Sequence, residues 1–142
     1  MIYTPMTKKA LKLCFEMHKD QIDKSGLPYV FHPFHLAEQM DDEISVTCAL
    51  LHDVVEDCDI TLADLPEMGF PQEVTSVLSL LTHDDGIPYM DYIKEIKKNP
   101  IATKIKLADL KHNSDSTRVE VADERMLERW KKYAEAIRIL EE

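Results

Sequence analysis

Several features that are common in proteins are scarce or absent in this 142-residue chain. It has only three glycines and no lasting alternation of apolar and polar residues, which argues against a fold built from β-hairpins. No apolar run approaches the ~18–20 residues that a membrane-spanning helix needs. The N-terminus also lacks the basic, apolar and small-residue order of a signal peptide. We therefore expect a cytoplasmic protein with no membrane partner.

Cysteine is also scarce, with Cys14, Cys48 and Cys58 as the only examples. An odd number of cysteines cannot all pair within the chain, and none lies in a CxxC motif. Each falls within an apolar helical pattern, where a reduced thiol packs as a small hydrophobic side chain. We expect no disulfide framework and no cysteine metal site.

Basic side chains are few relative to acidic ones. The chain has 17 lysines and arginines against 27 aspartates and glutamates, a formal net charge of −10. Proteins that grip a phosphate backbone usually carry a basic face, so we expect no nucleic-acid partner. Small polyanions are still allowed, because a divalent cation held by carboxylates reverses the local sign of the field.

The chain does contain helical periodicity from end to end, which predicts one all-α domain over residues 1–142. This bundle should have about seven to eight helices. Prolines open five of the expected helices, at positions 5, 33, 71, 88 and 100. The first should end near Gly26 and the second near Met40. The other expected helices are Glu43 to about Asp57, a short turn after Thr61, and Ala122 to Leu140.

The stretch LLHDVVED, from Leu50 to Asp57, places one histidine and three carboxylates among four aliphatic residues. In a helix, one apolar stripe is formed by Cys48, Leu51, Val54, Val55 and Cys58. His52, Asp53 and Glu56 then project with Asp57 to the other side. Neighbouring side chains on a helix point about 100° apart, too splayed to pair but suited to clasping an ion. A divalent metal would compensate these charges; the alternative is a solvated helix face.

Two more segments offer metal ligands. His32 lies in PYVFHP, where the second helix is expected to start. Asp109 lies in IKLADLKHN, with Lys106 one turn before it and Asn113 one turn after. Taken alone, the histidine could be a packed or capping residue and the aspartate could belong to a salt-bridged helix.

The segments HKDQIDKSGLPYVFHP, ALLHDVVED and IKLADLKHN resemble, in order, the H…HD…D signature of the HD metal-dependent phosphohydrolases. They are most similar to the hydrolase domains of Rel/Spo alarmone enzymes and their small single-domain relatives, over about Ala10 to Asn113. The resemblance implies a metal site formed by His32, His52, Asp53 and Asp109. It also implies manganese as the metal, although the nitrogen and oxygen ligands would suit iron or magnesium and leave zinc possible.

Glu56 and Asp57 match the acidic pair that follows the HD dipeptide in this branch of the family. The resemblance assigns them to water activation, because a carboxylate one turn beyond the ligands can accept a proton from the attacking water. The alternative is that both are outer, solvent-facing acids.

Further matches suggest how a nucleotide would be held. Lys24 and Ser25 match the nucleotide-binding loop of the family, and Asn113 matches an asparagine that contacts the nucleotide. Lys106 could meet phosphate oxygens as a point charge, or could be a solvated lysine. The other histidines, at positions 18, 35, 83 and 112, are given no role in the site.

The chain departs from the family pattern at two places. Asp23 stands where alarmone hydrolases typically have an arginine, which replaces a planar cation with a repelling charge. After Asn113 the chain reads SDSTR instead of a leucine-bearing continuation. We expect intact catalytic machinery with altered specificity elements.

The leading hypothesis is a (p)ppGpp 3′-pyrophosphohydrolase that releases pyrophosphate and, lacking a synthetase domain, only degrades its substrate. One alternative is an HD phosphohydrolase of another nucleotide, such as an adenine alarmone or NADPH. Another is a metal-bearing nucleotide sensor with little turnover. The expected partner is a small nucleotide, and the protein could be a monomer or a homodimer.

Overall fold

A computed structural model describes all residues, 1–142, as a bundle of α-helices without a β-sheet. The helices are α1 (Pro5–His18), α2 (Phe31–Glu38), α3 (Glu43–Leu51), α4 (Val54–Asp57), α5 (Asp64–Glu67), α6 (Gln72–Leu81), α7 (Tyr89–Lys97), α8 (Pro100–Asn113) and α9 (Glu124–Glu141). A 3₁₀ turn follows α8 at Ser116–Arg118. The predicted all-α class is confirmed. None of these helices is both long and apolar enough to traverse a bilayer.

Four of the nine α-helices begin at a residue whose side chain caps the helix: α1, α3, α8 and α9. The Thr4 hydroxyl accepts the Thr7 backbone N–H at 3.2 Å, and the Thr7 hydroxyl accepts the Thr4 N–H at 2.7 Å. Asn99 accepts two backbone N–H groups at the start of α8, each at 3.0 Å. Such caps satisfy donors that have no partner inside the helix, and each stabilises by about 1 kcal/mol. The expected starts at Pro5 and Pro100 are therefore correct.

Helix α3 lies at the centre of the bundle. Seven of its nine residues are buried, and it packs against α1, α2, α6 and α8. The 27 buried hydrophobic residues form one continuous core around it. Because α3 is surrounded, the residue that follows its last turn, His52, enters the interior of the molecule.

The first helix is shorter than the sequence indicated, since it ends at His18 and not near Gly26. The chain then forms a narrow turn in which Ile22 bridges to Pro28. The Asp23 carboxylate accepts the backbone N–H groups of Ser25 and Leu27, at 2.9 and 3.0 Å. An aspartate that bonds to nearby N–H groups in this way stabilises a turn in competition with a helix.

The expected helix from Glu43 to Asp57 is also wrong, because it breaks at His52 and Asp53. His52 Nδ1 donates to the carbonyl of Ala49 at 2.6 Å. In an unbroken helix that carbonyl would accept the Asp53 N–H. The break rotates the two side chains toward each other, so His52 Nε2 lies 2.8 Å from Asp53 Oδ2 instead of being splayed from it.

The last helix runs from Glu124 to Glu141, close to the expected range, with Asp123 as its cap. Only Ala136, Ile139 and Leu140 are buried in it. Its first half lines a cavity through Met126, Arg129 and Trp130, whereas Leu127 does not line it and remains 48% exposed despite the regular apolar pattern.

Candidate metal centre and adjoining cavity

Three helical segments bring His32, His52 and Asp109 together. His32 lies in the first turn of α2, His52 directly after α3, and Asp109 in α8; all three are buried. Their ligand atoms lie within 4.8 Å of one another. Asp109 Oδ1 is 2.9 Å from His32 Nε2 and 3.6 Å from His52 Nε2. Such a group could hold a divalent metal.

Asp53 joins the same cluster through its Oδ2 atom. This atom lies 2.8 Å from His52 Nε2 and 3.8 Å from His32 Nε2. The hydroxyl of Tyr29 donates a hydrogen bond to the same oxygen. The structure therefore gathers all four predicted ligands, and it adds Tyr29, which the sequence reasoning did not identify.

The hydrogen bonding of His52 fits a metal ligand. Its Nδ1–H donates to the Ala49 carbonyl, so the free lone pair of the neutral imidazole is on Nε2. That Nε2 is buried and has no hydrogen-bond partner, although two carboxylates lie beside it. A divalent cation would satisfy the unpartnered nitrogen and compensate the carboxylates at once. Imidazole nitrogens with carboxylate oxygens suit manganese, iron or zinc better than a soft metal such as Cu(I).

Lys106 is tied to this cluster. Its ammonium lies 2.9 Å from Asp109 Oδ2, and its side chain is only 15% exposed, so it is not a solvated lysine. Burial alone would raise the pKa of Asp109, but Lys106, His32 and His52 outweigh burial and hold that pKa well below its usual range. Lys106 thus keeps Asp109 ionised, as a metal ligand must be.

His32 is held from behind by a second histidine. Its Nδ1 lies 2.6 Å from Nδ1 of His112, with the rings stacked at 4.9 Å. Burial, reinforced by the neighbouring His32, lowers the pKa of His112 to about 4, so His112 is neutral at neutral pH. A neutral His112 can accept the Nδ1 proton of His32 and leave Nε2 facing Asp109. The only sequence signal was that His112 lies three residues after Asp109, on the same face of α8.

Glu56 and Asp57 follow the cluster on α4. Glu56 Oε1 accepts the backbone N–H of His83 at 2.8 Å, which fixes that carboxylate. Both side chains are exposed, but partial burial, with a contribution from the charge of Asp53, raises the pKa of both carboxyl groups. A raised pKa makes a carboxylate a better proton acceptor, so both groups have the chemistry of a general base.

A cavity of about 320 Å³ adjoins His32. Its wall includes Lys24, Ser25 and Asn113, three of the four predicted substrate contacts, but neither Lys106 nor the acidic pair of α4. The charged residues of its lining are Asp23, Lys24, Asp115, Arg118 and Arg129. Three cations thus face two acids in a chain whose net charge is −10.

The cations of the cavity repel one another. Burial lowers the pKa of Lys24, and the charges of Arg129 and Arg125 lower it further, partly opposed by Asp123. An anion bound between Lys24 and Arg129 would relieve this repulsion. Aromatic surface is provided by Trp130 and Tyr133, which the sequence reasoning had treated only as apolar positions of the last helix.

Comparison with known proteins finds relatives of two names, guanosine-3′,5′-bis(diphosphate) 3′-pyrophosphohydrolase and GTP pyrophosphokinase. The guanosine-3′,5′-bis(diphosphate) 3′-pyrophosphohydrolase of Vibrio cholerae is 37% identical over 83 residues, which are 56% of this chain and 11% of that protein. The guanosine-3′,5′-bis(diphosphate) 3′-pyrophosphohydrolase MESH1 of Homo sapiens is 32% identical over 102 residues, 64% of this chain and 56% of that protein. MESH1 of Xenopus tropicalis is 30% identical over 118 residues, 74% and 65% of the two chains. No family model matches the chain.

The fold has a solved counterpart. The structure of a metazoan ortholog of SpoT, described as hydrolysing ppGpp, superposes with a TM-score of 0.76 at 23% identity. The match covers 99% of this chain and 88% of that one, which confirms the helical fold along its whole length. In sequence, by contrast, the matched region is about a tenth of the long bacterial relative and between half and two thirds of the MESH1 proteins.

Proposed function

Because this chain is similar in sequence to Rel/Spo-like hydrolases and shares the fold of a metazoan SpoT ortholog, we propose that it is an HD-domain, metal-dependent hydrolase that releases pyrophosphate from the 3′ position of (p)ppGpp. The single observation that carries this proposal is the adjacency of two features. A buried cluster of His32, His52 and Asp109 adjoins a cavity with three cationic side chains. A nucleotide with phosphates in that cavity would present a phosphoryl group to the cluster.

In the proposed reaction, the oxygen of water forms a bond to the phosphorus attached to the 3′ oxygen. The bond between that phosphorus and the 3′ oxygen breaks and the 3′ oxygen takes up a proton, giving GDP and pyrophosphate from ppGpp. His32, His52, Asp53 and Asp109 are the proposed metal ligands. The bound metal would supply a Lewis acid that polarises a phosphoryl oxygen and activates the water. Glu56 and Asp57 accept the proton of that water, which their raised pKa values favour.

Holding the nucleotide falls to the cavity wall. Lys24 offers a point charge to phosphate oxygens, and Ser25 adds a hydroxyl. Asn113 donates through Nδ2 to Asp109 at 3.0 Å and accepts the Trp130 indole N–H with its backbone carbonyl, also at 3.0 Å. Asn113 thereby connects the cluster to the far wall. In this proposal Lys106 acts by keeping Asp109 ionised. The alternative role for Lys106 is a direct contact with phosphate oxygens.

We further propose manganese as the resident metal, with Fe²⁺, Mg²⁺ and Zn²⁺ as the alternatives that the ligand set admits. The partner is a small nucleotide, without nucleic acid or membrane. The protein would act in the cytoplasm as a monomer or homodimer.

A phosphohydrolase of another nucleotide is the second candidate. Asp23 favours it, because the loop arginine of the alarmone enzymes is missing from its usual place. The substrates to compare are the adenine alarmones and NADPH.

The test is product analysis by anion-exchange chromatography. Manganese-loaded protein is incubated separately with ppGpp, pppGpp, their adenine counterparts and NADPH, beside an Asp53→Ala control. We expect GDP and pyrophosphate from ppGpp and nothing from the control. Cleavage of another nucleotide alone would move the proposal to the second candidate. Survival of every nucleotide would favour a sensor with little turnover.

A further inference from the structure

A half-buried ion pair joins two distant segments in the cavity wall. Arg118, in the 3₁₀ turn, donates from Nη2 to Asp23 Oδ2 at 2.9 Å, across 95 positions of sequence. Its Nη1 donates to the backbone carbonyl of His112 at 2.8 Å. The two side chains are 18% and 9% exposed, and both line the cavity.

Asp23 is consequently not the repelling charge that the sequence indicated. Oδ1 accepts the N–H and the hydroxyl of Ser25 at 2.9 and 2.6 Å and the N–H of Leu27 at 3.0 Å. Oδ2 accepts from Arg118. Because both of its oxygens accept hydrogen bonds, the Asp23 carboxylate has little capacity left to bind a ligand or to repel one. Its function is to hold in place the groups that donate to it.

Arg118 is held by its edges. The two N–H groups that donate to Asp23 and to the His112 carbonyl lie in the plane of the guanidinium, so these bonds leave its flat face uncovered. Its charge is already paired, which weakens its pull on phosphate. Lys24 and Arg129 line the same cavity without an ion-pair partner and are the better phosphate contacts. A guanidinium face stacks well on the ring of a nucleobase.

We propose that Arg118 is a specificity-determining residue that stacks on the purine base of the nucleotide, and that Asp23 is the positioning residue that holds it. This inference rests on the proposed nucleotide substrate. It assigns to the 3₁₀ turn after α8 the planar cation that the loop after α1 lacks. The two departures from the family pattern are then the two partners of one ion pair, with Asp23 in the first and Arg118 at the end of SDSTR in the second.

Trp130 allows a test that needs no turnover. It is the only tryptophan of the chain and lines the cavity, so its fluorescence should report ligand binding. Manganese-loaded protein is titrated at fixed ionic strength with GDP, which carries a base, and with inorganic pyrophosphate, which does not. Arg118→Gln should raise the Kd for GDP about tenfold and leave the Kd for pyrophosphate within about twofold.

Conservative variants distinguish the effect of the planar guanidinium shape from the effect of its positive charge. Arg118→Lys keeps the charge without the plane, so we expect GDP binding as weak as in Arg118→Gln. Asp23→Asn should weaken GDP binding in the parent chain but have no further effect when combined with Arg118→Gln. Lys104→Gln is the matched control, because Lys104 forms a 2.9 Å ion pair with Asp41 on the surface, outside the cavity.

Three results would overturn the inference. They are unchanged GDP binding in Arg118→Gln, equal weakening for GDP and pyrophosphate, and full rescue by lysine. Thermal unfolding of each variant identifies loss of fold, and Asp23→Asn still tests the pair if Arg118→Gln does not fold. If no nucleotide is hydrolysed but the Kd values change as expected, the proposed function fails and the assignment of Arg118 stands. If ppGpp is hydrolysed but the Kd values do not change, the proposed function stands and the assignment of Arg118 fails.

Discussion

At the scale of single residues, the site depends on which nitrogen of each histidine is free. His52 gives its Nδ1–H to the Ala49 carbonyl, and His32 shares a proton with His112, so both Nε2 atoms point toward Asp109. These outer bonds fix the ring orientations before any metal binds. Residues behind the ligands should therefore influence metal affinity.

Removal of the ring behind His32 tests this dependence. His112→Ala should weaken manganese binding about 10- to 100-fold, because His32 loses the partner that fixes its tautomer. Isothermal titration with manganese measures the change. His83→Ala is the control, since the imidazole of His83 bonds to the Ile87 carbonyl and not to a ligand. Equal affinity in the two variants would show that His112 does not position His32.

At the scale of elements, the break between α3 and α4 is decisive. Had α3 continued, His52 and Asp53 would point about 100° apart. The break lets them face each other and starts α4 with the acidic pair in its first turn, where Glu56 is anchored by the N–H of His83. Function is thus concentrated where the regular helix stops.

The two proposed bases of α4, Glu56 and Asp57, can be replaced without changing the shape of their side chains. Glu56→Gln retains the oxygen that accepts the His83 N–H, and Asp57→Asn is similarly isosteric, but neither amide accepts a proton. We expect kcat to fall about 10²- to 10⁴-fold in at least one of them, with the Kd for GDP unchanged. Full activity in both variants would remove the pair from catalysis and leave water activation to other groups.

The turn after α1 predicts a pH dependence of stability. Burial would raise the pKa of Asp23, but hydrogen bonds from Ser25, Leu27 and Arg118 outweigh it and lower that pKa. A lowered pKa in the folded state adds stability above the unfolded pKa of about 3.9, and this stability is lost as the pH falls. Asp23→Asn should lower the free energy of unfolding by about 1–2 kcal/mol at pH 7.

Urea unfolding at several pH values measures this difference. It should be constant above about pH 5 and shrink below pH 4, as the aspartate of the parent chain protonates. Asp41→Asn on the surface is the control, and its effect should be much smaller because solvent screens an exposed ion pair. A difference that persisted undiminished at low pH would assign the effect to packing rather than to charge.

At the scale of the whole molecule, carboxylates from α8 and the α3–α4 break meet in the interior, where their charges must be compensated. The protein supplies Lys106 and the histidines, and a divalent cation would complete the compensation. Because the cluster joins α2, α3 and α8, a metal that binds only the folded state should stabilise the entire bundle.

Metal addition should therefore raise the melting temperature. Manganese at 100 times its Kd should add about 2.7 kcal/mol, which is several degrees for a domain of this size, and EDTA should reverse the gain. His52→Ala should abolish most of the shift because it removes a proposed metal ligand. A shift of the same size in that variant would place the metal elsewhere.

The sequence predicted correctly those helix starts that depend on interactions within one helical turn. The starts of α1 and α8 were predictable because Thr4, Asn99 and the prolines after them act within one turn. The break at His52 was not, because it depends on a side chain taking the carbonyl of Ala49, which the apolar periodicity does not register. The same holds for the early end of α1.

The sequence by itself determined the helical class, the order of the three motifs and the presence of imidazoles and carboxylates for a metal. These follow from residue type and short-range spacing. Only the tertiary structure decided that His112 supports His32, that Arg118 neutralises Asp23 and that the cavity is cationic. Those contacts join residues 80 and 95 positions apart, and the sign of a local field depends on how charges meet in space.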